Sequence, residues 1–297
     1  MFPVVRCTQL HSMEDTELKF LKYIVLTQIK SLGPVSQNAL IDMCGDINAC
    51  FEASYSELIA LDKMQISQRN RIGKGRIESF IYQREDRSLW NYAERMLRTS
   101  EELKIIPIVR EDLMYPARFR NNNDMPVLIY TRGCLEINEY ENSTGIVGAR
   151  RCSAEGKHAS IEIATESTRD DTAVISGMAK GIDSYTHTAV LKRHGYTIAV
   201  LGSGADICYP KEHERLYEEI VEHGCIVSEY PPGTQPREYY FPQRNRLIAA
   251  LSDKLCVIDA GRNSGTRSTV EYAKKYGREI VMVGEMIKQG ERECTNV

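Results

Sequence analysis

No apolar run in these 297 residues approaches the ~20 needed to cross a bilayer as a helix. Met1 to Leu18 also lacks the apolar core of a signal peptide, so a cytoplasmic protein is expected. The nine cysteines include no Cys-x-x-Cys pair, and their odd count and scattered spacing argue against a disulfide framework or a zinc site. Cys208, Cys225 and Cys256 lie in or beside apolar runs, where a free thiol behaves as a small hydrophobe. The P-loop signature Gly-Lys-Ser/Thr does not occur, and Gly202-Ser203-Gly204 lacks the third glycine of a dinucleotide fingerprint, so no nucleotide cofactor is expected. Positive charge is not in excess: 38 Lys and Arg face 41 Asp and Glu, for a formal net charge of −3. That balance excludes a bulk basic protein of the histone type. It leaves room for a local basic patch, which placement alone can reveal.

What is present is an ordinary soluble composition, 42% hydrophobic and 27% charged, in a chain long enough for one large or two ordinary domains. Leu18 to about Arg98 reads as helical. Leu18, Leu21, Ile24, Val25, Gln28 and Ile29 follow a helical period that Gly33-Pro34 breaks, and Gln37 to Met43 starts a second helix. A helix, a glycine turn and a helix resemble a helix-hairpin-helix, although structural αα-hairpins share that pattern. Arg69, Arg71, Lys74 and Arg76 read as a solvated helix face. From Lys104 the pattern changes to short β-branched runs separated by amphipathic stretches. The runs are Ile105–Val109, Val127–Tyr130, Gly145–Val147, Ala173–Ser176, Thr197–Leu201, Cys225–Ser228, Leu255–Ile258 and Glu279–Val283. Such alternation predicts a mainly parallel sheet covered on both faces, with ligands bound at the carboxyl ends of its strands. The expected organisation is α/β: a helical domain over 1–100, then an extended Rossmann-like domain over 101–297.

The candidate site residues cluster at those strand ends. Gly148-Ala149-Arg150-Arg151 follows one run, with Ser153 placed to cap the next helix and Arg150 able to grip phosphate with its planar fork. The alternative for Arg150 is a pair with a nearby carboxylate. Ser176, Gly177, Lys180 and Gly181 form a second loop, with a flexible point charge between glycines. Asp183 and His187, four apart, read as a helix-start carboxylate and a packed histidine, because no third ligand or nucleophile accompanies them. Phe241, Arg244, Asn245 and Arg246 combine an aromatic ring with charge beside a predicted helix start, and Tyr239 and Tyr240 can extend the platform. Arg244 and Arg246 are two apart and cannot share a helical face, so one is expected to face the ligand while the other fastens the loop. Ser264, Gly265 and Arg267 complete the set at the start of a last helix over Thr269–Lys275.

In order, Gly148-Ala-Arg, Ser176-Gly-Met-Ala-Lys-Gly-Ile-Asp183, Ala199-Val-Leu-Gly-Ser-Gly204, Tyr209-Pro210, Ser228-Glu-Tyr230, Phe241-Pro-Gln-Arg-Asn-Arg246 and Ser264-Gly265 resemble the DNA-processing protein A (DprA/Smf) family over roughly the last two-thirds of the chain. Ala149, Asp259 and Arg267 depart mildly from that pattern. The chain stops short of the winged-helix domain that many members carry after Gly284, so none is expected here. The resemblance implies a SAM-like N-terminal domain. It further implies a non-enzymatic single-stranded DNA-binding protein that protects incoming strands during natural transformation, helps to load a RecA-type recombinase, and dimerises through the Rossmann-like domain. A competing reading is a nucleotide-hydrolysing enzyme of the LOG type, drawing on Ser264-Gly265-Thr266 and the carboxylates Asp183, Glu229 and Glu271. The catalytic glutamate of those enzymes falls here on Thr269, which removes their catalyst. A third reading makes the cationic loops a surface for an acidic partner.

Overall fold

The computed structural model describes residues 10–65, 71–259 and 265–283. They form two compact units: one holds the described residues up to Thr99 with Pro126–Leu128, the other Ser100–Met125 and the described residues from Ile129 onward.

The first unit is helical: α1 (Leu10–Gln28), α2 (Pro34–Cys44), α3 (Ile47–Glu52), α4 (Tyr55–Met64), α5 (Lys74–Gln83) and most of α6 (Arg87–Glu102). Four successive residues of α1, Tyr23 to Leu26, are fully buried, so that turn is enclosed on every side, whereas Leu18 is exposed. Gly33 caps α2 and Pro34 occupies its first position, where the absent N–H is no loss. The N–H groups of Ser36 and Gln37 both bond to the Gly33 carbonyl, and Gln37 Nε2 donates to Leu32 O at 2.8 Å. These bonds fasten the turn to the start of α2. Of the basic stretch, Arg69 lies outside the described residues. Lys74 makes an exposed pair with Glu78, while Arg71 and Arg76 bond to backbone carbonyls.

The second unit contains β1 (Ile106–Val109), α7 (Ala117–Arg120), all but the first residue of β2 (Leu128–Gly133), β3 (Ser143–Gly148), α8 (Ala154–Arg169), β4 (Ala173–Ser176), α9 (Ile182–Leu191), β5 (Thr197–Val200), α10 (Glu214–His223), β6 (Cys225–Ser228), α11 (Tyr240–Leu251), β7 (Lys254–Ile258), α12 (Arg267–Lys275) and β8 (Glu279–Val283). These eight strands form one sheet in the order β1-β2-β6-β5-β4-β3-β7-β8. From β6 to β8 every pairing is parallel, and β2 joins β6 antiparallel. Because side chains alternate across a strand, each strand feeds two cores. Val147, Ala173, Ile175, Leu255 and Val257 join Leu247 to Leu251 of α11 on one face. Ile146, Val174, Cys256 and Ile258 meet Ile182, Ala189 and Val190 of α9 on the other. The chain leaves β3 toward β4, β5 and β6, then returns across the sheet to lay β7 on the opposite side of β3. That reversal opens a crevice beyond the carboxyl ends of β3 and β7.

Candidate functional site

A cleft of about 830 Å³ occupies this crevice. Its walls include Gly148 to Arg151 after β3, Ala179 and Asp183 around the start of α9, Phe241, Arg244 and Asn245 on α11, and Gly265, Thr266 and Thr269 at the start of α12. The four sequence loops therefore converge on one site.

At the mouth, the Arg150 guanidinium lies over the Phe241 ring, 5.8 Å from its centroid, and Tyr209 packs on the same ring at 5.6 Å with a 35° tilt. Arg150 and Arg151 are exposed, Tyr209 is 46% exposed and Phe241 is half-buried. Phe241 is thus neither a core plug nor a free side chain. Two rings and a planar cation form a surface on which a base can stack at roughly 1–3 kcal/mol. Tyr209 was absent from the sequence-derived site. Its signal was an aromatic residue before a proline on the loop that closes β5.

Lys180 stands beside the cleft with Nζ 2.7 Å from Glu212 Oε1, both side chains more than half exposed. Such a surface pair contributes at most about 1 kcal/mol, so a phosphate can displace Glu212. Gly181 is needed for the turn that presents this lysine: its φ is +81°, and a Cβ there would stand 2.6 Å from the Arg150 carbonyl oxygen. Ser153 caps α8, accepting from Gly156 N at 2.9 Å, while its own N–H and hydroxyl donate to Asp259 at 2.7 and 2.8 Å. Asp259 is thereby committed to the helix start. The remaining carboxylates of the cleft are Asp183 and Glu238, so its electrostatics are mixed.

The segment Arg244-Asn245-Arg246 departs from expectation. The helix begins at Tyr240, so these residues occupy its first turns and not a loop, and all three are buried. Arg244 reaches across the ends of β4 and β5, donating to Gly177 O at 2.8 Å and to Val200 O. Burial holds its guanidinium down at about 10, opposed by the nearby Asp183 carboxylate, so it stays charged at neutral pH. Asp183 is shifted upward by its own burial, with Arg244 and the Ala179 and Gly177 N–H groups acting against that shift. Asn245 Nδ2 donates to Gly265 O at 3.1 Å and Ser268 Oγ at 2.9 Å, fastening the start of α12. Arg246 pairs with Glu229 just beyond β6, and both are nearly inaccessible. Three successive side chains thus tie α11 to three strand ends and to the start of α12. Arg244 still lines the cleft floor; Arg246 is corrected to a structural role, because its charge is already paired inside the fold.

Other candidates move too. The Ser176 hydroxyl is buried and donates to Ile146 O at 2.6 Å, joining neighbouring strands. Gly177 lies under the Arg244 guanidinium. Arg267 pairs with Glu271 at 3.1 Å on the exposed side of α12, which also takes Glu271 away from the cleft. Gly265 and Thr269 do line it, and Ser264 lies outside the described residues. His187 is a packed histidine, fully buried with Nδ1 2.8 Å from Thr197 Oγ1. Among the described residues no group of three His, Cys, Asp or Glu is arranged to hold a metal ion, and no helix is long and apolar enough to cross a membrane.

Known proteins resemble this chain in sequence and in fold. Residues 107–297 match the family model described as DNA recombination-mediator protein A. The DNA processing protein DprA of Streptococcus pneumoniae is 37% identical over 179 residues, 60% of this chain and 63% of that protein. The chain therefore aligns with less than two thirds of that relative's length. The Bacillus subtilis DNA processing protein DprA is 33% identical over 210 residues, covering 71% of this chain and 68% of the relative. The X-ray structure of the S. pneumoniae protein superposes with a TM-score of 0.71 at 27% identity, over 91% of this chain and 93% of that one. A second structure, described as giving insights into the single-stranded DNA binding mode of the Helicobacter pylori protein, superposes with a TM-score of 0.57 at 26% identity, over 64% and 90% of the two chains. With its site loops gathered at the switch of a doubly wound sheet, and with these relatives, the chain belongs to the DNA recombination-mediator protein A family.

Proposed function

We propose that this protein binds single-stranded DNA in the β3/β7 cleft, without catalysing a reaction on it, and does so in DNA recombination or natural transformation. The observation that carries the proposal is the surface of Arg150, Phe241 and Tyr209 at the cleft mouth, where unpaired bases can stack while Arg150, Arg151 and Lys180 meet the backbone. Gly148, Gly177, Gly181, Gly265 and Asn245 serve the same site by shaping the cleft around the strand. A homodimer through the Rossmann-like unit would offer two clefts to one strand and raise affinity through effective concentration. In the cytoplasm, the bound strand would be protected and passed to a RecA-type recombinase. The DNA-processing relatives, and the H. pylori relative whose structure concerns single-stranded DNA binding, support this reading.

The competing nucleotide-hydrolase reading is weakened by Glu271, which pairs with Arg267 outside the cleft, and by Thr269 where that chemistry needs a carboxylate. The test is a titration of matched single-stranded and duplex oligonucleotides at one salt concentration, with a parallel incubation with nucleoside monophosphates. Tighter binding of the single strand and no release of free base are expected. Equal affinity for both forms would reject base stacking, and release of free base would establish the enzyme.

A further inference from the structure

A second aromatic group lies at the start of α11. Tyr230 and Tyr240 have ring centroids 4.1 Å apart, and Tyr239 meets Tyr240 edge-on at 4.5 Å. Tyr230 is fixed from below by a 3.2 Å hydrogen bond from its hydroxyl to Gln243 Oε1. Tyr239 is 53% exposed, and the exposed Arg237 donates to its hydroxyl at 3.0 Å. A tyrosine held by a neighbouring ring and by a guanidinium at its hydroxyl loses little freedom when a flat ligand settles on it, and that cation at its edge suits an anionic backbone.

Position along the chain ties this group to the cleft. Tyr239 is two residues from Phe241, a separation that spans at most about 7 Å. That limit applies to the backbone: side chains two apart at a helix start point about 200° apart, so at about 3.4 Å per stacked nucleotide a strand takes several nucleotides to pass over the start of α11 from one ring to the other. Successive helical residues point about a quarter-turn apart. Phe241 accordingly turns to Tyr209 and the cleft, whereas Tyr240 turns to Tyr230. The aromatic surface is divided in two and does not form one platform.

We infer that Tyr239, backed by Tyr240 and Tyr230 and flanked by Arg237, is a second base-stacking station that takes the nucleotides of a single strand leaving the cleft. The inference rests on the single-strand reading above and adds a path and a minimum length to it. A strand short enough to end at Phe241 touches only the cleft. A longer one gains a stacked base on Tyr239 and a phosphate at Arg237.

The experiment is a set of Kd measurements on oligothymidylates from about 4 to about 16 nucleotides, the span over which single-strand sites of this kind fall. The intact protein, Tyr239→Ala, Tyr239→Phe and Arg237→Ala are compared, with a melting curve for each. In the parent, affinity is expected to step up once the strand is long enough to reach the second station. Tyr239→Ala should remove that step, a loss on the order of tenfold for long strands, and match the parent on the shortest. Tyr239→Phe should keep the step, because the ring is retained. Arg237→Ala should flatten the salt slope by about 0.7 for long strands alone. A length profile unchanged in Tyr239→Ala, or lowered equally at every length, would overturn the inference while leaving the cleft intact. Failure of the parent to bind any single strand would remove both readings together.

Discussion

The Arg244 guanidinium fills the space in which a Cβ on residue 177 would stand: Nη1 would lie 2.5 Å from that carbon, and the same nitrogen donates to the Gly177 carbonyl at 2.8 Å. The two residues are 67 apart in sequence, and each makes sense only beside the other. Gly177→Ala is expected to push the guanidinium off two strand ends and strain the cleft floor, a destabilisation of about 1–3 kcal/mol. A urea unfolding series would measure it. An unshifted midpoint would mean that the guanidinium has room to move aside.

Arg246 is expected to behave as a structural residue. Arg246→Met leaves Glu229 buried and unpaired, at about 3–5 kcal/mol, whereas the double variant Arg246→Met/Glu229→Leu should recover most of the loss. Thermal melts of the two variants give the comparison. The salt dependence of DNA binding by the double variant should match the parent; a flatter slope would return Arg246 to the DNA.

Phe241→Ala should weaken single-strand binding by about 1–3 kcal/mol and leave the salt slope nearly intact, since a ring and not a charge is lost. The ring is only half-buried, so the accompanying loss of stability should be below the ~3 kcal/mol typical of a fully buried Phe. Oligonucleotide titration and the unfolding midpoint, measured on the same preparation, separate the two effects. Normal affinity with a lowered midpoint would take Phe241 out of the site.

Arg150→Ala and Lys180→Ala should each weaken binding for every sequence and flatten the plot of log K against log salt by about 0.7, the value for one phosphate on a single strand. Titrations at several salt concentrations provide the slopes. An affinity loss with the parent slope retained would show that the residue does not meet a phosphate.

Acid should destabilise the Rossmann-like unit through His187. The Thr197 hydroxyl donates to Val174 O at 2.9 Å, so His187 Nδ1 carries the proton that bonds to Thr197, and Nε2 is buried without a partner. Protonating Nε2 would place an unpaired cationic N–H in the core, and burial accordingly pulls this histidine down from 6.5 to about 3. A depressed folded-state value means that the stability is fully present above pH 6.5 and declines as pH falls toward 3, by several kcal/mol in all. Denaturant midpoints measured across that window should fall less steeply in His187→Gln. Parallel profiles for variant and parent would assign the acid sensitivity to other groups.

The alternation of β-branched runs with amphipathic stretches sufficed to predict an α/β sheet, because strand and helix periods are local properties of the chain. The loops after β3, β4 and β7 could likewise be assigned to one edge, since parallel strands all end on the same side. Ser153 as a cap and His187 as a packed residue were legible for the same reason: each depends mainly on its position along its own helix. What the sequence could not decide was the direction of each charge on α11. Arg244, Asn245 and Arg246 are polar residues at a site edge by every local measure. Yet that helix lies between the sheet and α12, and its first turns are closed in by strand ends whose carbonyls and carboxylates need partners. Tyr209 joined the site because two loops far apart in sequence meet over Phe241, and Tyr240 left the platform because Tyr230 comes up beside it. Burial and long-range pairing are properties of the assembled fold, and only the tertiary structure chose which cations remained free for a ligand.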